Sequence, residues 1–240
     1  METINKDELE NVIKSTFIEL DYISREKGNS RLIFPKYHGK GKTRISEQEL
    51  RFLFIEKLKP FLEKYDCYYS IETPTNDYYK FSENKQSRKP KRNPEKVKGY
   101  ESAAFDLVSH KNKKDQNDER VAIIEFKSKG NKHEYAKDIC KLGNKNEGNS
   151  NKNEGNISTL RYFIIVVNNI GYSNKEKKDT KQSLQEKFSI ANDQIDFDNF
   201  QNDAEINVVC YSLEEGKEKG MFVDIVTNIS TDLHLLAPIQ

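Results

Sequence analysis

The chain has 240 residues, with 40 Lys and Arg against 39 Asp and Glu and a formal net charge of +1, which excludes a polycation that would hold nucleic acid by bulk charge. Hydrophobic residues make up 35% and charged residues 33%, so the apolar material for one principal domain over residues 1–240 must be concentrated in a few segments. The first residues carry acids and no apolar h-region, no uncharged apolar run could span a bilayer, and the three cysteines are odd in number and far apart; these features indicate no export or membrane role, argue against a disulfide framework and a zinc knuckle, and make a reducing, cytoplasmic setting the expectation.

In chain order, Leu9, Ile13, Phe17 and Leu20 stand at helical spacing and predict an amphipathic helix within residues 1–24. Residues 25–44 are rich in Gly, Lys and Pro and read as loop, with a short strand allowed at 31–34. Ser46 followed by Glu49 has the form of a capping box and opens a helix over about 47–64, with Leu50, Leu53, Phe54, Leu58, Phe61 and Leu62 as its buried stripe. Three strands are expected at 67–73, 103–109 and 120–128, the last two joined by a polar connector. Residues 74–99 read as a basic insertion loop. A helix over 132–142 and a buried strand over 162–168 follow. Between these two, the hexapeptide Asn-Lys-Asn-Glu-Gly-Asn occurs at 144–149 and again at 151–156, and its composition predicts a solvated low-complexity loop over 143–158. Residues 170–240 read as an extension of the same domain, with a helix at 181–191 and a strand at 206–213; the state of 221–236 stays open, as does whether this region extends a sheet or forms an interface. A mixed sheet flanked by helices buries these faces.

The strand at 120–128 is apolar on both faces from Val121 to Ile124, as a central strand is, and ends in Glu125-Phe-Lys127. Alternation places Glu125 and Lys127 on one face, about 7 Å apart. Glu-x-Lys recurs at Glu83, Glu176 and Glu215, but only the copy at Glu125 follows a buried strand. The preceding strand carries Asp106 inside an apolar run, where Asp is depleted. Paired as a hairpin, the two strands bring Asp106 beside Glu125, and carboxylates so placed repel unless a divalent cation lies between them. Hard oxygen donors suit Mg²⁺ or Mn²⁺, and a neighbouring lysine could orient or help deprotonate a metal-bound water for attack on phosphorus.

A helix, three strands with Asp106 on the second and Glu125-x-Lys127 on the third, then a helix and a strand: over residues 45–168 this order resembles the PD-(D/E)xK nuclease superfamily, the restriction-endonuclease-like fold, with its α-β-β-β-α-β core. Phe105 stands where the motif's name has proline, a variable position in that family. The resemblance implies Asp106 and Glu125 as metal ligands, Lys127 as the catalytic lysine, and a glutamate from the first core helix. Glu47, which extends the Leu50 and Phe54 stripe, is preferred over Glu49, which the capping box already explains. Members of such families often act as dimers, so a homodimer is compatible with the resemblance.

The run from Lys85 to Lys98 has seven Lys or Arg against Glu95 alone, with Tyr78, Tyr79 and Phe81 upstream; Arg88, Lys89, Lys91 and Arg92 are its candidate phosphate contacts, against the plainer reading of a solvated loop. Gly39-Lys-Gly-Lys-Thr43 is not a P-loop, because the first glycine of that motif would fall on Lys36. His38, His110, His133 and His234 have no metal-ligand spacing. The expected function is Mg²⁺-dependent phosphodiester hydrolysis, with DNA as the expected substrate and RNA not distinguished. The rival is a non-catalytic module that binds nucleic acid or protein in a defence or repair assembly.

Overall fold

Helix α1 (Lys6–Ser24) buries Leu9, Ile13, Phe17 and Leu20 along one stripe, as their spacing requires. Helix α2 (Glu47–Lys64) starts at the Ser46/Glu49 capping box and buries Leu50, Leu53, Phe54, Leu58, Phe61 and Leu62. The computed structural model describes residues 4–24, 31–34, 46–81, 86–90, 100–111, 119–128, 132–148, 159–167, 172–173, 176–177, 186–190, 204–212, 221–225 and 234–236.

The strands are β1 (Tyr68–Phe81), β2 (Gln86–Pro90), β3 (Glu101–His110), β4 (Arg120–Lys127), β5 (Leu160–Val167), β6 (Tyr172–Ser173), β7 (Glu176–Lys177), β8 (Ile206–Ser212), β9 (Met221–Ile225) and β10 (His234–Leu236). Helix α3 (Lys132–Leu142) joins β4 to β5. Apart from the small β6/β7 ladder, the strands form one sheet in the order β10-β9-β8-β5-β4-β3-β1-β2. Its centre is five strands, β8-β5-β4-β3-β1: β4, β5 and β8 run parallel, and β3 and β1 antiparallel to their neighbours. The fold is thus α/β with a mixed sheet between helical layers.

Alternation along β4 decides which side chain serves which layer. Ala122, Ile124 and Phe126 face α1 and α2 and join Tyr162, Ile164, Val209 and Tyr211 in one core; Phe54 and Phe126 meet there edge to face at 5.3 Å. Ile123 faces the other way, with Phe163, Ile165, Val208 and Cys210, against Tyr135, Ala136 and Ile139 of α3. A side chain of Phe or Ile size contributes about 1.5–3 kcal/mol when fully buried, so these two layers hold the sheet's centre in place.

Three expectations need correction. Residues 74–99 are not a plain loop, because β1 continues to Phe81 and β2 returns beside it, with Tyr78 opposite Lys89 and Tyr79 opposite Arg88. The alternation in this half is Thr75, Asp77 and Tyr79 inward, too polar to read as a core stripe. The first hexapeptide copy is not fully solvated either: Lys145–Glu147 forms a 3-10 turn capped by Asn144 that buries Asn144 and Glu147 while Lys145 and Asn146 stay exposed, and the second copy lies outside the described residues. Glu147 is fully enclosed, accepting from Arg120 at 3.0 Å, from the Tyr79 hydroxyl at 2.7 Å and from the backbone N–H groups of Asn76 and Asp77 at 2.6 and 3.0 Å. Residues 31–34 carry no strand. From the C-terminal stretch, β9 and β10 extend the sheet beyond β8, while of the helix expected over 181–191 residues 186–190 are described and are helical. No helix among the described residues is long and apolar enough to cross a membrane, and Cys67, Cys140 and Cys210 are buried and form no disulfide.

Candidate active site at the end of strand β4

After a register shift between His110 and Ser109, the β3/β4 ladder runs in step from Ser109 opposite Ala122 to Leu107 opposite Ile124. The described pairing ends there, and Asp106, the next residue of β3, meets β4 through its side chain. The Asp106 carboxylate accepts the Phe126 N–H at 2.7 Å, so an acceptor from the side chain of β3 takes a donor that a carbonyl would otherwise take. Its other oxygen pairs with the Arg51 guanidinium of α2, which also donates to Glu72 of β1 at 2.8 Å. Glu72 has a φ of 49°, the left-handed region that a residue with a Cβ occupies at some cost.

Glu125 and Lys127 leave β4 on the α3 side, as alternation requires. Glu125 is 3% exposed and is joined to the Lys141 ammonium. Burial pushes its carboxyl well above the ordinary carboxylate range; Lys141 pulls it back, while Asp138 and Asp106 push it further up. Lys141 also donates to the Ala104 carbonyl at 2.9 Å and lies 3.3 Å from Asp138. Lys127 lies 3.0 Å from Asp138. Burial favours its neutral amine, but Asp138, with Glu47 and Glu125 behind it, outweighs burial and raises its pKa.

Glu47, in the first turn of α2, reaches across to β4 and accepts the Ser128 N–H at 3.4 Å. Burial raises its pKa, Lys127 and that N–H oppose the rise, and Asp106 and Asp138 add to it. Glu49 is engaged elsewhere: its carboxylate closes the capping box on Ser46.

Asp106, Glu125, Lys127 and Glu47 therefore gather where the end of β4 meets α2 and α3, while Glu49 does not join them. Sequence reasoning missed Arg51, Asp138 and Lys141, the counter-ions of the acids and of the lysine. Arg51 lies within the buried arc of α2, and Asp138 and Lys141 flank the buried pair Ile139 and Cys140 on α3, so a charge beside an apolar stripe was the available signal. Among the described residues no three His, Cys, Asp or Glu side chains are grouped as metal ligands. As donors, the carboxylates of Asp106, Glu125 and Glu47 suit a hard divalent cation.

Arg88 and Lys89 stand on β2, and Lys91 and Arg92 lie outside the described residues, as does the stretch from Gly39 to Thr43. The imidazole Nε2 of His110 lies 2.8 Å from the Ser70 hydroxyl, away from the acids. In comparisons with known proteins, no family model, no curated protein and no solved structure matches this chain.

Proposed function

We propose that the chain is a metal-dependent nuclease that hydrolyses phosphodiester bonds in DNA, with Asp106, Glu125, Lys127 and Glu47 as its site. The observation that carries the reading is the meeting of these four side chains, from three separate elements, at one end of a buried strand. Stability alone gives little reason to collect acids there, because each buried charge needs a partner and hydrophobic substitutes are often as stable.

Asp106 and Glu125 would hold Mg²⁺ or Mn²⁺, with Glu47 as a further oxygen donor. Such an ion, when bound, supplies Lewis-acid stabilisation of charge on phosphate oxygens and acidifies water. The raised pKa of Lys127 keeps its ammonium protonated at neutral pH. It therefore serves as a hydrogen-bond donor and fixed positive charge for the pentavalent transition state, rather than as the base. Asp138 fixes its position at 3.0 Å. Burial pushes the Glu125 carboxyl up and Lys141 pulls it back, so its service as an anionic ligand is favoured as pH rises.

A second reading has an observation of its own. Arg51 already neutralises Asp106 and Lys141 already neutralises Glu125, which is how a folded, non-catalytic binding module would keep these acids. Cleavage of linear, circular and single-stranded DNA and of RNA with Mg²⁺ or Mn²⁺ separates the two. Cutting by the wild type that is lost in Asp106→Ala and in Lys127→Ala, with circular dichroism unchanged, supports the enzyme. No cutting of any substrate, with nucleic acid bound equally by all three proteins, supports the module.

A further inference from the structure

Two cations hold the proposed ligands Asp106 and Glu125, and each is shared with a second carboxylate. Arg51 of α2 donates from Nη2 to Asp106 and from Nη1 to Glu72 of β1, the latter at 2.8 Å. Lys141 of α3 is joined to Glu125, lies 3.3 Å from Asp138 Oδ1 and donates to the Ala104 carbonyl at 2.9 Å. Neither second carboxylate is among the proposed ligands. The Glu72 side chain is 63% exposed, and Asp138 gives its other oxygen to Lys127 at 3.0 Å.

The sharing follows from where the chain puts these groups. Ile71 stands opposite Leu107 and Thr73 opposite Phe105, so Glu72 falls beside Asp106 in the sheet, where two like charges repel. Arg51 answers both. Its Nε has no hydrogen-bond partner among the described residues, so these two carboxylates are what hold the guanidinium. On α3, Asp138 and Lys141 are three residues apart and neighbours on one face, which keeps Asp138 within reach of Lys141 independently of Glu125. Charge then gives the arrangement a use. Arg51 and Lys141 bring one positive charge each to Asp106 and Glu125, together the charge of one divalent ion. An ion entering between those acids displaces both cations, and an Arg and a Lys whose side chains are 9 and 8% exposed cannot be left without an anion. Release of Asp106 leaves Arg51 on Glu72, and release of Glu125 leaves Lys141 with Asp138 and the Ala104 carbonyl. Stability alone would be met by one carboxylate for Arg51, which has two.

We propose that Arg51 and Lys141 are exchangeable counter-ions, held by Asp106 and Glu125 until a divalent cation takes these acids and by Glu72 and Asp138 from then on; this rests on the reading of Asp106 and Glu125 as metal ligands. Glu72 and Asp138 are positioning residues in this scheme. They act through Arg51 and Lys141, and set how readily the two ligands are given up.

The test is calorimetric titration of the full chain with Mn²⁺, in the wild type, Glu72→Gln, Arg51→Gln and the double variant. Glu72→Gln leaves Asp106 as the one carboxylate on Arg51, so Mn²⁺ binding is expected to weaken about threefold, the size of a partly exposed ion pair, with the urea midpoint unchanged. Added to Arg51→Gln, the same change is expected to have no effect. Direct attraction of the ion by Glu72 would weaken binding equally in both backgrounds, and that result overturns the proposal, as does a Glu72→Gln protein that binds like the wild type. Asp138→Asn is expected to weaken Mn²⁺ binding in the same sense, and unchanged affinity there overturns the Lys141 half. A second readout needs no variant: the Arg51 guanidinium signals in nitrogen-resolved NMR are expected to shift when Mg²⁺ is added to the wild type, and signals unmoved by saturating Mg²⁺ overturn the exchange. So does the absence of any Mn²⁺ or Mg²⁺ binding. Ion binding that follows the expected cycle, with no nucleic acid cut, would remove the catalytic reading and leave the exchange standing; cutting that depends on Asp106, with Glu72→Gln equally weakening in both backgrounds, would do the reverse.

Discussion

Replacing Lys141 with Met removes the ammonium and keeps most of the stem, so Glu125 is left buried with its counter-ion gone. In the wild type Lys141 pairs with Glu125, lies 3.3 Å from Asp138 and donates to the Ala104 carbonyl at 2.9 Å. Breaking one side of a buried pair costs about 3–5 kcal/mol, of which the orphaned carbonyl accounts for about 1–2 kcal/mol at any pH. With a urea slope of about 2.5 kcal/mol per M, the unfolding midpoint at pH 8 should fall by about 1–2 M. The rest of the loss depends on pH. The folded-state pKa of Glu125 lies well above 4.5, and Lys141 is the strongest influence holding it down, so Lys141→Met raises it further. Between the unfolded value and that raised value the folded state binds a proton the unfolded state has released, so stability falls as pH rises through the window, by at most about 1.4 kcal/mol per unit. The deficit of the variant relative to the wild type should be smaller at pH 5 than at pH 8. Urea melts of both proteins at the two values measure it, and an equal deficit at both, or one below about 1 kcal/mol at pH 8, would refute the account of Glu125 as a buried charge held by Lys141.

Four further substitutions test other parts of the structure. Glu49→Ala opens the capping box and should cost about 0.5–2 kcal/mol in urea melts with little change in cleavage rate, whereas Glu47→Gln should lower that rate at least tenfold with no loss of stability. Glu147→Ala leaves Arg120 charged and enclosed and the N–H groups of Asn76 and Asp77 unanswered, so thermal unfolding should come roughly 10 °C earlier, a shift consistent with about 3–5 kcal/mol. Gly148→Ala would place a Cβ 2.6 Å from Arg161 Nη2 and 2.9 Å from Thr159 Oγ1; Arg161 Nη1 is held by the Leu142 and Asn144 carbonyls at 2.5 and 2.7 Å and yields poorly, so a loss of about 1–3 kcal/mol is expected in the same melt.

The helices and central strands were legible because their burial is apolar and periodic. Leu50, Phe54, Leu58 and Phe61 mark α2, and Val121 to Phe126 mark β4, through repeats that depend only on residues close in sequence. The second half of β1 was not legible, since Asp77 and Tyr79 are buried by virtue of partners some 70 positions away, in a segment whose composition reads as solvated, and Thr75 bonds the backbone of Ala103 on β3. Asn-Lys-Asn-Glu-Gly-Asn carries no hydrophobic signal at all. Glu147 of its first copy is inside because Arg120 is inside: an arginine at the start of a central strand needs a carboxylate, and Glu147 supplies it. The two buried polar partners explain each other, but neither announces itself in the sequence alone.

The candidate site divides along the same line. Asp106, Glu125 and Lys127 stood out because each interrupts or ends an apolar strand, and Glu47 because it prolongs the stripe of α2. Their counter-ions are single charges on helices in a chain that is one-third charged, and choosing Arg51 or Lys141 from sequence would have required knowing which turn of each helix lies over the end of β4. That difference bears on chemistry. Read by itself, the trio suggests acids waiting for a metal; in the fold, Glu47, Asp106, Glu125 and Asp138 share the space with Arg51, Lys127 and Lys141, so charge balance is nearly reached from within the chain. A divalent ion added to such a cluster gains attraction to carboxylates only by competing with cations already bound to them. If the site is catalytic, metal affinity should therefore be set as much by Arg51 and Lys141 as by the acids, and Arg51→Gln should tighten Mn²⁺ binding in calorimetry provided the fold is kept. Weaker or unchanged binding would mean that Arg51 holds Asp106 in place for the ion instead of contending with it.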